Sequence, residues 1–187
     1  MKINSNNLII VISSPSGAGK TTVCKKILER DNKIGISISD TTRLARNNEV
    51  NGLDYNFISE KEFMIRVQEN AYIEYANVFG NYYGSLRSNI TDHFEKNRDI
   101  LFDIDWQGAN KLRKKYSKDD IIDFFILPPN KAELRKRLNK RGRDNKKEIQ
   151  IRLSLALTEI SHHKDYKYVI INDQLNETIS NIVDVIK

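Results

Sequence analysis

The stretch Leu8-Ile-Ile-Val-Ile-Ser-Ser-Pro-Ser-Gly-Ala-Gly-Lys-Thr21 decides how the chain is read. Its first five residues are apolar and mostly β-branched, the pattern of a strand buried on both faces. Ser13 to Gly19 forms a small-residue loop, and from Lys20 to Arg30 the apolar residues Val23, Ile27 and Leu28 recur at helical spacing. Strand, glycine loop and helix in that order open a βαβ unit. Within it, Ser14-Pro15-Ser16-Gly17-Ala18-Gly19-Lys20-Thr21 fits the phosphate-loop pattern, with Ser14 where the first glycine is usual. Gly17 and Gly19 let successive backbone N–H groups turn toward a phosphate, and the helix N-terminus adds partial positive charge. Lys20 is placed for the β- and γ-phosphates and the Thr21 hydroxyl for Mg²⁺.

Working outward, three more buried-strand patterns follow: Ile100 to Ile104, Ile121 to Leu127 before Pro128-Pro129, and Tyr168 to Ile171. Helical patterns lie between them at Gly108 to Lys115, Lys131 to Lys140 and Glu148 to His162, and a last apolar stripe runs from Leu175 to Ile186. Strands alternating with helices predict an α/β fold with a parallel sheet and helices on both faces. The segment from about 35 to 96 breaks the rhythm and reads as an insertion. In it Ser59-Glu-Lys-Glu62 predicts a capped helix, and Ser85 to Lys96 predicts another.

The 187 residues suit one domain. With 39% hydrophobic and 30% charged residues the chain can bury a core. No apolar run approaches the ~20 residues of a membrane span, and the N-terminus lacks the features of a signal peptide. A single cysteine, Cys24, excludes an internal disulfide and a cysteine-rich metal site. These features predict a cytoplasmic protein. The net charge is +6, and the window Lys131 to Lys147, with nine bases and two acids, carries +7. Such a cluster points to an anionic partner, nucleic acid or nucleotide phosphate, or simply to a solvated helix face.

Asp103 ends the apolar run Ile100-Leu-Phe-Asp103 and is the candidate Mg²⁺ ligand at a neighbouring strand end. Asp105, two residues on, points the same way if the chain stays extended. Arg43, Arg46 and Tyr55, with Gly80-Asn-Tyr-Tyr-Gly84, are suited to a phosphate monoester. Glu74, in Tyr72-Ile-Glu-Tyr-Ala76, is either a surface charge on a strand or an acceptor for the adjacent N1–H and N2 donors of guanine.

Taken together, these residues resemble the guanylate kinases of the bacterial type, which transfer phosphate from ATP to GMP. The similar stretches are Pro15 to Lys20, Thr41-Thr-Arg43 with Arg46, Glu49 to Tyr55, Gly80 to Gly84, Asp103-Ile-Asp-Trp-Gln-Gly108, Ile126-Leu-Pro-Pro129, Arg137-Leu138 with Arg141-Gly142, and Val169 to Asp173. The resemblance implies a P-loop NTPase core, at about 1–34, 97–137 and 153–187. It also implies a nucleoside-monophosphate-binding insertion at about 35–96 and a helical lid at about 138–152. It assigns the GMP phosphate to Arg43, Arg46, Tyr55 and Tyr83, and guanine to Ser39, Glu74, Ser85 and Asp105. ATP would be held by Ser14 to Thr22, with Asn172 in the segment near the adenine. Mg²⁺ would be held by Thr21 and Asp103. Lys20, Arg43, Arg137, Arg141 and Arg152 would act on the transferring phosphates. The basic window overlaps the implied lid, which favours nucleotides over nucleic acid as its partner.

Asp40 stands where the family often has His or Ser, and Ala45 replaces a usual proline. Neither removes a group the chemistry needs. The intact Gly19-Lys20-Thr21 and Asp103 favour an enzyme over a non-catalytic binding module of the same fold. A P-loop kinase acting on a phosphorylated sugar is the other alternative, and it would have no use for Glu74 and Asp105 as base readers.

Overall fold

The computed structural model describes residues 7–78, 80–140 and 146–187. Five strands form a parallel sheet in the order β2-β7-β1-β8-β9. They are β1 (Ile9–Ser13), β2 (Ile34–Ile36), β7 (Asp99–Asp103), β8 (Ile121–Leu127) and β9 (Tyr168–Ile171). β1 lies at the centre, with Ile12 paired to Asp103 on one side and Ser13 to Phe125 on the other. Alternation along β1 divides the core. Ile10 and Ile12 face α1 (Lys20–Arg30) and α7 (Leu175–Ile186), where Val23, Ile27, Ile179 and Ile182 are buried. Ile9 and Val11 face the other side, with Ile90 of α3 (Ser88–Phe94) and Leu112 of α4 (Trp106–Lys115).

A second sheet, ordered β4-β3-β6-β5, is built from β3 (Asp40–Thr41), β4 (Asn56–Phe57), β5 (Tyr72–Val78) and β6 (Asn81–Leu86). Phe63 of α2 (Glu60–Gln68) packs on it, stacked on the rings of Tyr72 and Tyr82. The Ser59 cap forms as the sequence predicts, its hydroxyl accepting the Glu62 N–H at 3.1 Å. Asp40, fully buried, receives Asn56, Arg66 and the Tyr72 hydroxyl, and so ties β3, β4, α2 and β5 together.

Three expectations change. Ser85 and Leu86 belong to β6, and the helix begins at Ser88: pairing of Tyr72 with Leu86 extends the hairpin through those residues. Asp105 does not continue β7. It caps α4, its Oδ1 accepting the Gly108 N–H at 2.9 Å. β2 pairs with β7 in the parallel sheet, so the second sheet starts at Asp40. After α5 (Lys131–Lys140), the helix α6 (Lys146–Ser161) ends in a 3₁₀ turn, His162–Asp165, in which the His162 ring stacks on Trp106 at 3.6 Å. Of the implied lid, residues 141–145 lie outside the described residues, and Arg141 with them.

Candidate active site

The phosphate loop lies at the carboxyl end of the central strand, where chain connections diverge to either side, the usual place for a ligand in an open parallel sheet. Gly17 and Gly19 have φ of +92° and +100°, conformations that favour glycine. Lys20 starts α1 and pairs with Asp103 across the gap between β1 and β7, while its Nζ also donates to the Ile104 carbonyl at 3.1 Å. Burial alone would depress the Lys20 pKa. The adjoining Asp103 carboxylate outweighs that and holds it above its ordinary value.

Two cavities of about 580 and 220 Å³ adjoin at this point. Thr21, Ser39, Arg46, Tyr55 and Asp103 line both. The smaller cavity runs between the phosphate loop and the second sheet, and adds Lys20, Glu74, Tyr83, Asp105 and Glu159. The larger is flanked by Arg152 of α6. Among the described residues no group of three or more His, Cys, Asp or Glu side chains could hold a metal ion.

Glu74 is not a surface charge. It is 5% exposed on β5, facing the first sheet's strand ends. The Ser85 hydroxyl donates to its Oε1 at 2.7 Å, and Ser85 in turn lies 3.2 Å from the Ser39 hydroxyl. Burial pushes the Glu74 pKa up to about 7; the Ser85 hydrogen bond works against this and the Asp105 charge adds to it. A buried carboxylate with donors from Ser85 alone among the described residues, and a second acid nearby, keeps acceptor capacity for further donors.

The phosphate-binding candidates cluster beside the second sheet, Tyr83 on β6, Tyr55 just before β4, and Arg43 and Arg46 in the loop after β3. Arg43 Nε donates to the Tyr83 hydroxyl at 3.2 Å, and its guanidinium carbon lies 5.2 Å from the centre of the Tyr55 ring. Its Nη1 and Nη2 meet the two oxygens of Glu49 at 2.7 and 3.0 Å. Burial works to lower the Arg43 pKa, but Glu49 and Tyr83 raise it beyond the ordinary value. Arg46, with 57% of its side chain exposed, keeps its Nη1 3.7 Å from Glu49.

Two candidates, Asn172 and Arg137, hold the phosphate loop by its backbone. Asn172 is 6% exposed, and its amide donates to the Ala18 carbonyl at 2.8 Å while its Oδ1 accepts from Thr178. It braces the phosphate loop through the Ala18 carbonyl. Arg137 donates to the Ala18 and Asn172 carbonyls at 3.1 and 3.2 Å and pairs with Glu133. Its guanidinium therefore backs the loop. Thr22 is exposed in the first turn of α1.

Sequence reading missed two acids. Glu49 enters only as the first residue of the stretch Glu49 to Tyr55, with no role of its own, although it lies three residues from Arg46 and its N–H donates to the Arg46 carbonyl. Glu159 lies among the inward residues Ala156 and Ile160 of α6, and its Oε2 accepts the Ser16 N–H at 2.9 Å.

A sequence model of the guanylate kinase family matches residues 6–187. The guanylate kinase of Rhizobium etli is 44% identical over 187 residues, all of this chain and 84% of its own. That of Rickettsia prowazekii is 41% identical over 186 residues, all of this chain and 93% of its own. The chain belongs to the guanylate kinase family. The crystal structure of guanylate kinase from Anaplasma phagocytophilum superposes with a TM-score of 0.80 at 38% identity, covering 98% of this chain and 86% of that one. The P-loop NTPase architecture read from the first strand and loop is thus that of guanylate kinases.

Proposed function

We propose that the protein transfers the γ-phosphoryl group of ATP to GMP, giving ADP and GDP, as a step of purine nucleotide metabolism in the cytoplasm. The observation that carries this reading is the buried Glu74–Ser85–Ser39 set, which faces the phosphate loop across a shared cavity. Guanine offers adjacent N1–H and N2 donors, and Glu74 is a buried acceptor whose hydrogen bonds within the chain come from Ser85. Asp105 adds a second acceptor, and the serine hydroxyls adapt to either partner. The acceptor phosphate falls to Arg43, Arg46, Tyr55 and Tyr83, which supply charge and hydroxyl donors beside the second sheet.

Transfer needs no general base, because a phosphate monoester with a second pKa of ~6 is already largely a dianion at neutral pH. The obstacle is the meeting of two polyanions. Loop N–H groups, Lys20 and the arginines offset that charge, and the cavity walls hold the two phosphates in line. Arg152 approaches the transfer point from α6. Arg137 acts on it through the Ala18 carbonyl, by fixing the loop.

Thr21 and Asp103 fit a nucleotide-borne Mg²⁺: they share both cavities and offer hydroxyl and carboxylate oxygens, the donors that ion takes, with phosphates and water completing its shell. The ion would supply neutralisation of the β- and γ-phosphate charge. These features give no support to a phosphosugar acceptor, which has no use for the Glu74 set, or to a binding module without catalysis. The test is ADP release coupled to GDP formation with ATP, Mg²⁺ and GMP. Turnover that requires both nucleotides and the metal is expected. ADP release with a sugar phosphate and none with GMP would overturn the reading.

A further inference from the structure

The phosphate loop is held at two points by side chains from elsewhere in the chain. Asn172 and Arg137 hold the Ala18 carbonyl, and Glu159 accepts the Ser16 N–H at 2.9 Å. The second hold differs in kind, because it comes from α6, the helix that carries Arg152. Residues seven apart in a helix lie on nearly the same face, displaced by ~10 Å along the axis. Glu159 and Arg152 are so related, and both reach the cavity: Glu159 in the lobe that contains Lys20 and Glu74, Arg152 in the lobe that contains Thr21 and Asp103. Ala156, fully buried between them, packs with Leu134 and Leu138. Below Glu159 the helix ends with His162 stacked on Trp106. The carboxyl-terminal end of α6 is therefore fastened to the loop and to α4, and Arg152 projects two turns beyond the fastening.

We propose that Glu159 is a positioning residue for phosphoryl transfer: by accepting the Ser16 N–H it sets α6 on the phosphate loop at the height from which Arg152 reaches the transferring group. The inference rests on the phosphotransfer reading above and on Arg152 meeting the phosphates. A carboxylate this close to a phosphate site needs a reason. Charge alone opposes it, since it would repel the bound polyanions. Burial raises the Glu159 pKa, and Asp105 adds to the rise, while the Ser16 N–H, Lys20 and His162 favour the charged form. The hydrogen bond does not need that charge. A glutamine at the same position keeps an acceptor oxygen for Ser16 and loses only the repulsion.

The experiment measures kcat and the KM for ATP and GMP in wild type, Glu159→Ala, Glu159→Gln, Arg152→Ala and the double variant Glu159→Ala/Arg152→Ala, together with thermal midpoints. Misplacement of a reacting group by about 1 Å can cost ~100-fold. Glu159→Ala should lower kcat by about 10- to 100-fold, with both KM values within about twofold. Glu159→Gln should restore most of that loss. The double variant should be no slower than Arg152→Ala alone, because the two residues act as a unit. Multiplicative losses in the double variant would overturn the proposal. So would full activity of Arg152→Ala, or a Glu159→Ala variant that binds ATP more tightly with kcat unchanged, which would mark the carboxylate as a competitor of the phosphate. A wild type without GMP turnover would instead sink the phosphotransfer reading, and the proposal with it.

Discussion

Gly108 and Glu74 are fitted to each other: a Cβ built on Gly108 would lie 2.5 Å from Glu74 Oε2. The glycine sits in the first turn of α4, its N–H taken by Asp105, and its missing side chain is the space the buried carboxylate occupies. Glu74 and Asp105, the two acids proposed to read the base, thus meet over Gly108.

Gly108→Ala should therefore affect GMP without affecting ATP. Within a helix, alanine is ordinarily more stable than glycine by ~1 kcal/mol. Here the added methyl must displace Glu74, so that gain should be cancelled and the KM for GMP should rise by about tenfold or more, at ~1.4 kcal/mol per decade. Steady-state kinetics with each nucleotide varied in turn will show it. An unchanged KM for GMP would mean that Glu74 does not read the base from this position.

The pH dependence of GMP binding should follow Glu74. Its pKa is pushed up from 4.5 to about 7 by burial, with Asp105 adding to the rise. Guanine donors need the carboxylate, so GMP affinity should increase as pH rises through about 7 and level off above it, with proton release on binding below that point. Stability of the ligand-free protein runs the other way. Below pH 4.5 the group is protonated whether folded or unfolded. Between 4.5 and 7 only the unfolded chain gives up the proton, so this group's contribution to stability falls with rising pH and is level above 7. Calorimetric titration of GMP at pH 6 and pH 8, repeated with Glu74→Gln, should show the dependence in wild type and its loss in the variant.

Glu49 should matter through Arg43. The pair is largely enclosed, with 14% and 16% of the side chains exposed, and the fork of the arginine is filled at both ends. Glu49→Gln gives up charged hydrogen bonds worth ~1.5–3 kcal/mol, leaving Arg43 misdirected, and should raise the KM for GMP while sparing that for ATP. Arg43→Lys should do the same, because an ammonium group cannot reproduce the fork. If Glu49→Gln tightened GMP binding, the carboxylate would be a rival of the phosphate and not a brace for the arginine.

The core was legible because its signals are local. Leu8 to Thr21 carries strand, turn and helix in one run, and β8 and β9 fall at the predicted residues Ile121–Leu127 and Tyr168–Ile171. The second sheet was harder to read because its determinants are distant in sequence. Asp40 is held by Asn56, Arg66 and Tyr72, three partners from three elements, and nothing in the local pattern around it announces a buried acid. Ser85 and Leu86 follow helical spacing with Ile90 and Phe94, yet strand pairing with Tyr72 and Glu74 prevails over that local pattern. Asp123 interrupts the apolar run of β8 for a similar reason: it receives Arg113 and the Lys167 N–H. In the site, residue types could be read from motifs, but the backing of the phosphate loop by Asn172, Arg137 and Glu159 depends on packing between elements more than 100 residues from the loop.

The guanine-reading role of Glu74 is tested most directly by kcat/KM for GMP, IMP and AMP, in wild type and in Glu74→Gln. Adenine sets an unprotonated N1 against the Glu74 carboxylate and leaves a buried acceptor unpaired, so AMP should be rejected by ~10⁴-fold relative to GMP. IMP keeps N1–H but lacks the amino group and should fall between the two. Glu74→Gln should lower the GMP value by about tenfold or more, from the loss of a charged hydrogen bond, and narrow the gap to the other purines. A wild type that uses AMP as well as GMP, or a Glu74→Gln variant within about twofold of wild type on GMP, would contradict the assignment of Glu74 as the residue that reads guanine.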